Sequence, residues 1–380
     1  MERREFFRKG SAGLAGLTMG SMLNEPAAPG AVPAAAAAEG ARSEAAGTQF
    51  ITADDCDPHE VIAAAPPYSA ILFNRNHPHT LDKTLVIDMP LTVLGLHARM
   101  PEGLAATPLV SIQAEGVRFT DFELHGNTES ITTNWAANRA SCLTIQAGDF
   151  VVERGLVTRA SRHGILVASG TDQDLGDYSA AGGKDIRNGV IRDIIARDIR
   201  RDGVSIEGRP EGSISHLLVE NIWLYRSPDR GAVEACDGAD NITFRNIYAE
   251  DAAYVADVMH DHGSNVTHNH TLENVHGVRC RHVVRTGNRD LGHTGLTVRN
   301  VIADQCGLPL RISNTRGVWI EGVRVTMHSG GPIAAISNCH GVGVNHVMLL
   351  SGTPGDEAIQ LKGCSHTRLD EFLDARADES

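Results

Sequence analysis

Positive charge is scarce in this chain. Against 47 Asp and Glu it carries 34 Lys and Arg, a formal net charge of −13, and a balance of that sign argues against nucleic acid as a partner. It also makes a polyanion an unnatural substrate unless a local basic patch or bound cations offset the field. No segment beyond the N-terminal one approaches the roughly 20 continuous apolar residues that span a bilayer, so no membrane span is expected. Aromatic residues make up 4% of the chain and tryptophans number three. Cysteines number seven, an odd count that leaves at least one thiol unpaired within a single chain.

What the chain has instead is a repeat. An apolar–x–apolar–x–Asn–apolar phrase recurs at Leu217–Val219–Asn221–Ile222 and Ile242–Phe244–Asn246–Ile247, then at Leu272–Asn274–Val275 and Leu296–Val298–Asn300–Val301. Fainter copies place Asp121, Arg154, Asp193, Gly322, His346 and Glu371 at the Asn position. The steps between these ten copies are 33, 39, 28, 25, 28, 26, 22, 24 and 25 residues, the period of a solenoid. Alternation of apolar residues within each copy makes the element a strand. Three short strands and three turns per period predict an all-β chain, a single-stranded right-handed parallel β-helix solenoid of about ten rungs spaced about 4.8 Å apart. Stacked Asn side chains, with both donors and an acceptor, would bond each other along one turn. The same frame stacks Cys280 on Cys306 and Cys339 on Cys364, as disulfides or as buried thiols.

Residues 1–38 read as an export signal. Arg3-Arg4 precede a mildly apolar stretch from Gly10 to Leu23 and an Ala-rich run ending near Ala38, which resembles a twin-arginine leader. The expected location is therefore the periplasm or beyond the cell. Residues 39–100 are expected to form an N-terminal cap and first rungs, and 101–374 the solenoid proper. A solenoid's exposed flank also permits a homo-oligomer.

Two long steps come from the segments Asn127–Arg139 and Ser169–Arg187, which border the strands Leu143–Ile145 and Ile165–Val167 of one sheet, called here the first sheet. Together they predict a cleft. Trp135 in the first segment is placed to stack on a sugar ring. Asp172, Asp174 and Asp177 in the second have the alternating oxygens of a calcium site, without the rest of an EF-hand loop, and calcium is a candidate cofactor. His260-Asp261-His262 with His268 and His270 is a weaker signal for a transition metal.

Eight to ten residues past the Asn position stand Arg162-His163-Gly164, Arg201-Asp202-Gly203 and Asp229-Arg230-Gly231. These triplets stack at the mouth of the first sheet, with each Gly read as a turn residue of positive φ. Thr144, Gln146, Leu166, Ser205, Glu207, Glu234, Asp257, Arg285, Arg311 and Gln360 should face outward from its strands. Glu234 and Asp257 on consecutive rungs would raise each other's pKa, and a carboxyl that holds its proton at neutral pH is the general acid that glycoside cleavage needs. Asp202, Asp229, Glu234 and Asp257 are the catalytic candidates. His163, Arg201, Arg230, Arg285 and Arg311 join Trp135 as candidates for gripping a polysaccharide or oligosaccharide.

With these features the chain, from roughly Gln49 to Asp374, resembles the right-handed parallel β-helix proteins of the pectin-lyase-like superfamily. That resemblance implies a polysaccharide cleft on the first sheet, worked by hydrolysis or β-elimination. The nearest motif pattern is that of glycoside hydrolase family 28, the polygalacturonase group. Asp202-Gly203 resembles the end of its Asn-Thr-Asp-Gly motif, Asp229 its Asp pair, and Arg311-Ile312-Ser313 its Arg-x-Lys. The chain departs from the pattern in having one Asp of the pair, His163-Gly164 before Asp202, and Ser313 in place of lysine. Lyases on this fold imply Arg285 or Arg311 as base, with Glu234 and Asp257 as calcium ligands. A fructan-cleaving transferase would use a carboxylate pair, and an adhesive β-helix neither.

Overall fold

The computed structural model describes residues 49–375, apart from position 55 and the stretches 102–107, 128–140, 170–184, 209–211, 260–265, 288–292 and 354–356. All of these belong to one unit, Ala46–Ser380. The described residues form a parallel β-solenoid of three sheets, with one short helix, Pro58–Ala64, near its start. Among them no helix is long and apolar enough to cross a membrane.

Alternation builds the inner walls. In the first sheet Leu143, Ile165, Val204, Val233, Ala256, Val284, Leu310, Ala334 and Ile359 pair in register from rung to rung. In the second, Val152, Ile191, Val219, Phe244, Leu272, Val298, Ile320 and Val344 do the same. The third runs Val157, Ala196, Leu224, Ala249, Gly277, Ala303, Val325 and Leu349. Nearly all of these side chains meet in a single apolar core along the axis.

The asparagine frame has a backbone cause. Between the second and third sheets every rung turns on one residue in the left-handed region: Asp121, Arg154, Asp193, Asn221, Asn246, Asn274, Asn300, Gly322, His346 and Glu371 all have φ between 44° and 73°. Gly95, at φ 77°, extends the series one rung upstream. Asn tolerates this region better than other residues with a Cβ. The amides also link, Nδ2 to the oxygen of the rung before: Asn221 to Asp193 at 2.8 Å, Asn246 to Asn221 at 2.9 Å, Asn274 to Asn246 at 2.8 Å and Asn300 to Asn274 at 3.1 Å. Asn246→Ala should therefore lose roughly 2–3 kcal/mol, combining two broken links with left-handed strain. Asn246→Gly should lose less, because it sheds the strain alone. Urea unfolding checks this, and equal losses would mean that φ is not the reason for Asn.

The cysteine frame also holds, as thiols. All seven cysteines are free, and Cys280 and Cys306 stand on adjacent rungs, the first thiol on the carbonyls of Ala249 and Val278 and the second on those of Gly277 and Asp304.

Candidate active site

The first sheet's outward column pairs Thr144, Leu166, Ser205, Glu234, Asp257, Arg285 and Arg311 in one row. This register points Glu234 and Asp257 away from the apolar core, as the sequence expects. Yet Ser205, Glu234 and Asp257 are fully buried, and Asp202, His163 and Tyr254 are equally so. Leu166 and Ala168 on the same face form a small apolar cluster separate from the main core. The outer face thus holds a desolvated polar cluster, where charges act more strongly than in water.

Tyr254 is its centre. Its hydroxyl donates to Asp202 Oδ1 at 2.6 Å and lies 3.4 Å from Glu234 Oε1, so the two carboxyls are no farther apart than those two contacts laid end to end. The Gly231 amide also donates to Asp202 Oδ1, at 3.3 Å. His163 stands between acids, Nδ1 3.3 Å from Asp202 Oδ2 and Nε2 3.2 Å from Glu207 Oε1; neither contact has hydrogen-bond alignment. Arg162 approaches Glu207 at 3.9 Å. On the other flank Arg230 donates to Glu234 Oε1 at 3.2 Å. Arg285 donates to Asp257 Oδ2 through both Nε and Nη2 and lies over the Tyr254 ring, 4.5 Å from its centre. Asp257 Oδ1 is buried with no hydrogen-bond partner.

The acids diverge in proton affinity. Burial alone would raise Asp202, but the His163 ring outweighs it, helped by Arg201 and Arg230, and holds this carboxyl below the ordinary aspartate value. Burial pushes Glu234 well above the glutamate value, reinforced by Asp202 and then Asp257 against the pull of Arg230. Burial also raises Asp257, despite Arg285. Ser205 Oγ lies 3.1 Å from Glu207 and 3.0 Å from Glu234 Oε2, and its one hydrogen serves only one acceptor, so a proton on one of the two carboxyls completes the pair.

The remaining predicted residues fall elsewhere. Asp229 is not among the acids: its side chain is 40% exposed and paired with Arg200 at 3.2 Å. The cause is a register shift, four steps from Ser227 to Gly231 against two from Ala252 to Tyr254, which carries Asp229 out of the column. Arg201 is buried beside Asp202, and Arg311 lies exposed one rung beyond Arg285. Trp135, Asp172, Asp174 and Asp177 lie outside the described residues, as do most of the two segments expected to wall the cleft. So do His260, Asp261 and His262; His270 is buried and stacked on His293, with ring centres 5.1 Å apart.

The glycines of the triplets need another explanation than positive φ, which none of them has. A Cβ on Gly164 would meet the Gly203 carbonyl oxygen at 2.7 Å, one on Gly203 that of Ala232 at 2.8 Å, and one on Gly231 the Tyr254 ring at 2.1 Å. Close approach of neighbouring rungs is the constraint. Tyr254 is the residue that sequence reasoning missed. By count it stands eight past Asn246, yet in the structure it pairs with Gly231, and Val255-Ala256 break the polar pattern that marks the triplets.

No protein-family model and no curated protein sequence matches the chain. Solved structures do. The A-module of a mannuronan C-5 epimerase from Azotobacter vinelandii is 11% identical, covering 83% of this chain and 91% of that one, with a TM-score of 0.59. The N-terminal fragment of bacteriophage Phi29 gene product 12 is 12% identical over 82% and 67%, with a TM-score of 0.53. A family 28 exopolygalacturonase of Yersinia enterocolitica is 10% identical over 86% and 79%, with a TM-score of 0.48. At such identities the likeness is one of architecture, and what it shows is the parallel β-solenoid fold.

Proposed function

We propose that the chain is an exported carbohydrate-active enzyme that cleaves glycosidic bonds of a uronate-bearing polysaccharide or oligosaccharide. Glu234 is the proton donor and Asp202 the ionised partner. The observation that carries this reading is a pair of fully buried carboxyls bridged by one tyrosine hydroxyl, with His163 beside Asp202 favouring its anion and burial favouring the acid form of Glu234, the division of labour glycoside cleavage requires. Glu234 protonates the departing glycosidic oxygen. Asp202, held as the anion, meets the positive charge that develops at the anomeric carbon or draws a proton from water. Arg230 and Arg285 keep 19% and 22% of their side-chain surface exposed, so a substrate meets them first, and Arg230 must swing from Glu234 for the proton to pass. These two partly exposed guanidiniums supply the local positive charge which a uronate carboxylate needs on a chain of negative net charge. Export rests on Arg3-Arg4 and the apolar stretch behind them.

The lyase alternative needs an arginine that gives up its proton. Arg285 is set against Asp257 and driven further above its ordinary value, burial being outweighed by that carboxylate. The test is incubation of the full-length protein with pectic, alginate, glycosaminoglycan and fructan polymers, with and without chelator, read by mass spectrometry. A fragment of a uronate polymer that has gained water, with or without chelator, is the expected product. An unsaturated fragment lighter by one water would overturn hydrolysis in favour of elimination, and an anhydro fructan product would assign the same acids to transfer. No product from any polymer would leave the binding-protein reading.

A further inference from the structure

A second polar cluster lies on the third sheet, at the N-terminal rungs. The strands His97–Arg99 and Glu123–His125 are parallel neighbours, pairing His97 with Glu123 and Arg99 with His125. Their middle residues, Ala98 and Leu124, are fully buried in the core, so His97, Glu123 and His125 share the outer face, each half-buried. One donor atom from each of the three lies within 4.8 Å of the others. Among the described residues it is the one set of three such side chains that gathers so closely.

The imidazoles are oriented as ligands. His97 Nδ1 is 3.3 Å from the Arg75 carbonyl oxygen, which only accepts, so that nitrogen carries the hydrogen and the lone pair sits on Nε2. His125 Nδ1 is 2.7 Å from Thr158 Oγ1, which leaves its Nε2 turned to Glu123, 4.0 Å from Oε2. Metal-bound histidines are held in this way, by an oxygen on the nitrogen away from the ion. Closing 4.0 Å to the edge of a tetrahedral site, about 3.3 Å for bonds of about 2.0–2.1 Å, takes only a small side-chain rotation. The rings of His97 and His125 are 5.2 Å apart.

The surroundings indicate what the ion would hold. His97 and His125 line a cleft of about 840 Å³ together with Thr80, Arg99, Asn127 and Arg159. Arg99 is fixed by its Nε on Thr80 Oγ1 at 2.8 Å. Two guanidiniums facing a site with three protein ligands and an open fourth position suit an anionic group on the metal.

We infer that His97, Glu123 and His125 form a divalent transition-metal site of the zinc type, with two imidazoles, one carboxylate and an open position that takes an anionic oxygen ligand. The nitrogen-rich donor set selects such an ion over calcium or magnesium. The site is apart from the acids of the first sheet and does not depend on the reaction assigned to them.

The test titrates the full-length protein, stripped with chelator and dialysed, with Zn²⁺ alone by calorimetry. One saturable equivalent is expected, weakened at least about 100-fold in His97→Ala or His125→Ala and about 10-fold in Thr158→Ala, which removes only the oxygen behind His125. Should either histidine variant fail to fold, Thr158→Ala still decides. With Co²⁺ the wild type should show visible d–d bands without thiolate charge transfer, which excludes the cysteines as ligands. No saturable equivalent, unchanged binding in the variants, or a thiolate band would overturn the site.

Discussion

Glu234→Gln should lower turnover by about 10²–10⁴-fold, the usual weight of a lost general acid, while the protein stays folded. Glutamine can keep the contacts of Glu234 with Ser205 and Arg230: one amide N–H can donate to Ser205 Oγ, whose hydrogen then serves Glu207, and its oxygen can accept from Arg230. Asp202→Asn should cost a comparable factor, and the two losses should not multiply, since both act on one step. The pH profile separates their roles. Wild-type activity falls as pH rises through the raised value of Glu234, and falls again in acid, below the ordinary aspartate value, as Asp202 takes a proton. In Glu234→Gln the alkaline limb should vanish. Stability falls on the same alkaline limb. A carboxyl whose folded value lies above its unfolded value, about 4.5 for glutamate, stabilises the fold below that pH and loses this contribution as pH rises through the folded value. Glu234→Gln carries no such loss, so at alkaline pH its thermal midpoint should equal or exceed that of the wild type. An inactive variant that also melts early across the whole pH range would mean the cluster is structural.

Gly231→Ala should cost both stability and activity. Its Cβ would lie 2.1 Å from the Tyr254 ring and 2.3 Å from the Tyr254 carbonyl oxygen, and a ring rotation relieves only the first contact. A loss of about 3 kcal/mol or more is expected, at the upper end of overpacking, together with activity, because Tyr254 bridges Asp202 and Glu234. The check is urea unfolding beside Tyr254→Phe, which keeps the ring and removes the hydroxyl. Tyr254→Phe should retain most of the stability and lose activity. If Gly231→Ala unfolded with the wild type, the close packing of these rungs would be refuted.

The solenoid and its outward acid column were legible because both follow from two periods, the strand's alternation and the rung. Glu234, Asp257, Arg285 and Arg311 fall in one row for that reason alone. The frame failed where the chain stops counting evenly. Between Ser227 and Gly231 extra residues bulge, so Asp229 left the column that arithmetic gave it. Tyr254 was invisible because its neighbours are apolar and its role comes from the space that Gly231 leaves. Burial of the acids was equally unreadable, since a strand pattern says which way a side chain points and nothing of what lies over it. His97, Glu123 and His125 needed the rung at Gly95: both His97 and Glu123 stand two residues past their left-handed position, Gly95 and Asp121.

The turn between the second and third sheets is one residue long in every rung from Gly95 to Glu371. A residue added or lost at that corner would turn the following strand inside out, setting charges into the axis and aliphatic side chains into water. The corner is therefore closed to insertions and deletions, and the unequal steps of 22 to 39 residues must be absorbed at the other two. One of those is the seam into the first sheet, where Arg162, His163, Arg201, Asp202 and Arg230 lie. Descent with variation can thus rewrite the rim above the acids, while the opposite corner keeps the whole stack in frame.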